Sequence, residues 1–82
     1  MAKILYTNGE IKNVENNELT IEFMQKVVGG YIEIVPVSNG EYIICNEDGK
    51  LTGLPINQKA SNIYQIGIIA GDVIFAKKNE IR

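Results

Sequence analysis

Residues Val28–Asn57 read VGGYIEIVPVSNGEYIICNEDGKLTGLPIN, and this run decides the fold because β-rich segments alternate there with turn-forming residues at short intervals. Tyr31 to Val37 is a strand with Ile32, Ile34 and Pro36 on one side and Tyr31, Glu33, Val35 and Val37 on the other. Pro36, near its end, marks an edge or a bulge, because proline donates no hydrogen bond to a ladder. Ser38-Asn39-Gly40 turns the chain into Glu41 to Cys45. Asn46-Glu47-Asp48-Gly49 turns it again into Lys50 to Leu51, so the pattern predicts a three-stranded meander.

Working outward, Leu19, Phe23 and Val27 recur at fourfold spacing beside Met24 and Val28, which is one apolar face of a short helix. Thr20 is its expected N-cap, with Leu19 and Met24 in staple positions, and Gly29 its left-handed stop. Further upstream, Lys3 to Tyr6 and Ile11 to Val14 flank Thr7-Asn8-Gly9-Glu10, where Asn-Gly predicts a tight type I′ hairpin. Downstream, Gly53, Pro55 and Asn57 break the ladder, Asn57 or Ser61 is placed to cap a short helical turn, and Ile68 to Ala76 forms a last strand interrupted at Gly71-Asp72. The expected architecture is α+β: an antiparallel sheet of about five strands, an N-terminal hairpin plus a meander, with one short helix packed on a face.

An 82-residue chain makes one domain, residues 1–82. A chain of this size buries only roughly 60–65% of its unfolded surface, so homo-oligomerisation is expected to add stability. Its hydrophobic content of 45% and charge content of 22% are those of a globular protein. No apolar run approaches the ~20 residues that cross a bilayer, and MAKILYT lacks the apolar core of a secretory signal. The expectation is a soluble protein of the bacterial cytoplasm with no membrane association. A single cysteine, Cys45, fits a reducing compartment. A net charge of -2, with Arg82 the sole arginine, disfavours nucleic-acid binding, which needs several cations on one face. Abundant Ile, Asn and Lys, all with AT-rich codons, point to an AT-rich bacterium or one of its mobile elements.

No catalytic constellation stands out. Without histidine, a serine or cysteine nucleophile would need lysine or a carboxylate as its base, and Cys45 lies inside the apolar strand Tyr42-Ile43-Ile44-Cys45, where a buried inert thiol is expected. One cysteine and no histidine give no zinc set, and Asn46-Glu47-Asp48-Gly49 lacks the alternating oxygen ligands and distal glutamate of a calcium loop. Neither a metal nor a cofactor is therefore expected. Gly29-Gly30 follows a helix C-terminus, where carbonyls point outward, so it has the wrong polarity for a phosphate cradle. The residues left as candidate ligand contacts are Tyr31, Asn46, Glu47, Asn57 and Tyr64: tyrosine rings for stacking, the polar Asn46-Glu47 turn, and an asparagine closing the apolar loop Gly53-Leu54-Pro55-Ile56-Asn57. A cross-strand Tyr31/Tyr42 pair is the ordinary structural use of those two rings.

At these residues the chain resembles a family of small uncharacterised proteins from phages, plasmids and Gram-positive bacteria. The family's core reads much like VGGYIE, then P…NG, then NEDGKL, GLP and N. The resemblance runs from Gln25 to Ala60, with a looser match at Ile69-Ala70-Gly71-Asp72-Val73-Ile74. It implies a mobile-element setting and an α+β fold, and it carries no reaction. The functional expectation is a non-enzymatic phage or mobile-element accessory protein, such as a host-defence antagonist, that sequesters a small nucleotide-like signalling ligand. The alternative is a protein-interaction module that inhibits a host enzyme or nuclease through an acidic surface built on Glu33, Glu41, Glu47 and Asp48.

Overall fold

Alternation of apolar and polar residues at period two, broken by glycine-bearing turns, yields five strands, and two helices cross the sheet they form. The computed structural model describes residues 2–81. In chain order the elements are β1 (Ala2–Leu5), β2 (Ile11–Val14), α1 (Ile21–Val28), β3 (Ile32–Pro36), β4 (Glu41–Asn46), α2 (Gln58–Tyr64) and β5 (Val73–Lys77). The sheet order is β2-β1-β5-β4-β3, antiparallel at every junction. This is the expected α+β class with five strands in one sheet.

One detail of connectivity differs from the expected meander. Lys50-Leu51 lies in a turn, and the second neighbour of β4 is β5, with Ile43 opposite Phe75 and Ile44 opposite Ile74. The final strand is interrupted at Gly71-Asp72, as expected: Ala70 forms an isolated bridge to Ile56, Gly71 turns at φ 85°, and β5 begins at Val73. The last strand is thus the central one, and it joins the two hairpins. The N-terminal hairpin also closes differently. Gly9 has φ 92° while Asn8 stays outside the left-handed region, and Tyr6 and Glu10 close the loop through Tyr6 N–H to Glu10 O at 2.9 Å. That is a three-residue connection with a left-handed glycine, because a type I′ turn needs positive φ at both central positions.

Helix α1 starts and stops where expected. The Thr20 hydroxyl accepts the Phe23 N–H at 3.1 Å, and Gly29, at φ 81°, donates to Gln25 O at 2.8 Å. Met24 and Val28 are buried, and Met24 packs with Leu19 in one cluster with Ala2, Ile4, Val14, Ile44, Ile74 and Ala76. Pro36 ends β3, which is an edge strand, as proline requires.

The opposite face of the sheet is also covered, by a second helix in place of the single expected helical turn. Asn57 caps α2, and Ala60 and Ile69 lie over Leu5, Ile43, Cys45 and Val73. Adjacent residues of β4 therefore feed separate cores, Ile44 under α1 and Ile43 under α2, both with no exposed surface. Burying each such side chain stabilises the fold by roughly 1.5–3 kcal/mol. Helix α2 has only seven residues and leaves open sheet on either side of it.

Candidate functional site

Strand alternation puts Glu33, Val35, Ile43 and Cys45 on the face that α2 only partly covers, and the β3–β4 register sets Glu33 directly opposite Cys45. A cleft of about 380 Å³ opens there, against the turn that follows β4 and the segment that follows α2. Its charged groups are Glu33, Glu47 and Lys50; Val35, Leu51 and Ile68 give it apolar walls, and Tyr64 contributes a ring. The volume falls at the lower end of the range for small-molecule sites, roughly 300–1,000 Å³.

The turn that carries Glu47 is rigidly held. The Asn46 side-chain oxygen accepts the Asp48 N–H at 2.8 Å, the Gly49 N–H reaches Asn46 O at 3.2 Å, and the Glu47 N–H is bonded to Tyr31 O at 2.9 Å. The other end of the Asn46 amide donates to Val28 O at 3.0 Å, tying the turn to the end of α1. On the far wall, Gln65 takes a left-handed φ of 66° that ends α2, and the chain then folds Gly67 over the Tyr64 ring, where an added Cβ would sit 3.4 Å from Cε2.

Cys45 contributes a thiol that stays protonated. Burial pushes its pKa up to about 11, the Glu33 carboxylate adds to the shift, and Lys50 partly opposes it. A reactive thiolate needs the reverse environment.

Three of the five residues expected at a site meet in this cleft: Asn46, Glu47 and Tyr64. Tyr31 does not. It is 73% exposed and takes part only through its carbonyl, and Tyr42, its expected cross-strand partner, sits opposite Pro36 instead. Asn57 does not join it either, being fully buried with its amide engaged by Leu5 O at 2.8 Å, Gly71 O at 2.9 Å and the Ala60 N–H at 3.1 Å. Sequence reasoning left out Lys50, because it assigned that residue to a strand, and Leu51 and Ile68, because only the three-dimensional turn brings them to one wall. Glu33 was recoverable from alternation with Val35 and from its position opposite Cys45.

Among the described residues no three His, Cys, Asp or Glu side chains come together as a metal-binding group. No helix among them is long and apolar enough to cross a membrane. No curated protein and no solved structure matches the chain significantly. A family model does match, over residues 2–81 and so across both hairpins, both helices and β5. The chain belongs to the family described as Domain of unknown function (DUF3846).

Proposed function

We propose that this domain is a non-enzymatic binding module that sequesters a small nucleotide-like ligand in the cleft beside Tyr64, and that it serves a phage or mobile element in the cytoplasm of a bacterial host. The observation that carries the reading is the composition of the cleft: an aromatic ring and apolar walls beside two carboxylates and one ammonium group. Carboxylates accept hydrogen bonds from the amino groups of a heterocyclic base, and the Tyr64 ring offers a face or edge for stacking. One lysine, Lys50, balances little phosphate charge against Glu33 and Glu47, so nucleosides and monophosphates suit the cleft better than polyphosphates. The mobile-element setting rests on the sequence resemblance, and self-association rests on the small size of the chain.

The acidic-surface alternative draws less support from the geometry. Glu47 and Asp48 follow the end of β4, whereas Glu41 begins it, so the strand's six residues hold the carboxylates roughly 20 Å apart. By alternation Glu41 shares a sheet face with Glu33, but at the far end of β4 from Glu47 it stands apart, so the four acids do not gather into one compact patch.

The test is calorimetry and thermal shift against nucleosides, mononucleotides and cyclic dinucleotides. Saturable binding is expected, weakened roughly ten- to hundredfold by Glu33→Gln or Glu47→Gln, as for one lost charge-assisted hydrogen bond of about 1.5–3 kcal/mol. Absence of stabilisation by every ligand at millimolar concentration defeats the reading.

A further inference from the structure

We propose that a second cleft, on the opposite side of α2, binds an amphipathic anion: a molecule with an alkyl or flat apolar body and one carboxylate, sulfate or phosphate group. This cleft of about 320 Å³ is built by four elements. Lys3 and Leu5 project from β1, and register sets Phe75 of β5 opposite Lys3 and Ile11 of β2 opposite Leu5, so all four lie on the α2 face. From α2 come Lys59, Asn62 and Ile63, whose spacing of three and four puts them on one side of the helix.

Two features of this cleft combine to specify its ligand. First, its apolar surface is left open: Ile11 is 52% exposed and Ile63 36% exposed on facing walls, above the buried Leu5. Second, its charged groups are both cations in a chain of net charge -2. Among the described residues, neither the Lys3 nor the Lys59 side chain has a hydrogen-bond or ion-pair partner. The carboxylate of Glu10, next to Ile11 in sequence, accepts a hydrogen bond from the Asn8 side-chain amide at 2.9 Å. Lys3 also borders a smaller cleft that contains Glu41 and Glu80, so Lys59 is the stronger of the two anchors. The Lys59 stem passes over the β1–β2 turn, with Cε 3.9 Å from where a Cβ on Gly9 would lie. Lys59 thus borders the cleft near the β1–β2 turn, while Lys3 borders it two residues back along β1 from Leu5. An apolar body lying along β1 meets both cations.

This site is separate from the cleft of Glu33 and Glu47, so the two proposals fail independently. The experiment is an amide NMR titration of the whole chain with decanoate, decanol and decyltrimethylammonium, each below its aggregation concentration. Decanoate is expected to bind saturably, with shifts centred on Leu5, Ile11, Lys59, Ile63 and Phe75, and about tenfold more tightly than decanol, since the head group adds the attraction of one or two partly desolvated cations. Lys59→Glu should remove that preference and leave decanol binding unchanged, while Ile63→Ser should weaken both. Both residues lie on the surface, and an unchanged unfolding midpoint verifies that each variant folds. Equal affinity for the three probes, a decanoate preference that survives Lys3→Glu/Lys59→Glu, shifts centred on the Glu33 cleft, or no saturable binding would each overturn the proposal.

Discussion

Asn57 illustrates how one polar side chain can read as a ligand contact and serve as a structural joint. Its carboxamide caps α2 through the Ala60 N–H and donates to the carbonyls of Leu5 and Gly71, so a single buried group links α2, β1 and the turn before β5. Three hydrogen bonds at a site with no exposed surface cannot be replaced by water. Asn57→Ala is therefore expected to destabilise the domain by about 2–4 kcal/mol, combining a lost cap with two orphaned carbonyls, as measured by urea unfolding. Asn57→Asp retains the cap and sets carboxyl oxygens against both carbonyls, so it should cost a comparable amount. A loss below about 1 kcal/mol in both variants would contradict this assignment. The sequence marked the position as a cap or a cleft residue. Choosing between them required knowing that Leu5, 52 residues away, lies within reach.

At the scale of elements, the end of α1 is joined to the start of the cleft by a contact between two residues far apart in sequence. Gly30 leaves room for the Asn46 amide, since a Cβ at Gly30 would stand 2.9 Å from Asn46 Nδ2, the atom that bonds Val28 O. Gly30→Ala should displace that amide and cost about 1 kcal/mol or more, and Asn46→Ala should cost a similar amount by freeing the Val28 carbonyl and the Asp48 N–H. Because both changes break the same joint, the double variant is expected to fall short of their sum by at least about 0.5 kcal/mol in equilibrium unfolding. Additive losses would show the joint to be unimportant. Individual elements were largely legible: β1, β2, β3, β4 and α1 follow from period-two or fourfold spacing bounded by Thr20, Gly29 and the glycine turns. Helix α2 was legible only as a capped turn. Its segment Gln58–Tyr64 buries Ala60 and carries too few large apolar residues to display a helical stripe.

For the whole molecule, the unreadable feature was which strand lies in the middle. Local pattern favours pairing neighbours in sequence, so β3 and β4 suggested a third strand at Lys50-Leu51, whereas the sheet fills that place with β5, which follows α2. The reason is burial. Val73, Ile74 and Ala76 are nearly or fully inaccessible and serve both cores, a demand that a two-residue segment bearing Lys50 cannot meet. The same exchange moved Lys50 and Leu51 out of the sheet and into the cleft, so the error in topology and the omission in the site have one cause. This arrangement makes the fold depend on its last strand: β1–β2 and β3–β4 do not pair with each other, and β5 is bonded to β1 on one side and β4 on the other. A chain ending at Ala70 should retain two hairpins and an unsupported α1, none of which is stable alone in water, and it should show no cooperative unfolding transition and poorly dispersed amide NMR signals. Adding the peptide 71–82 in trans should restore dispersion and cooperativity, because the missing strand supplies the shared centre of both cores. If the shortened chain still unfolds cooperatively, one of the hairpin layers is a folding unit in its own right, and β5 only completes it.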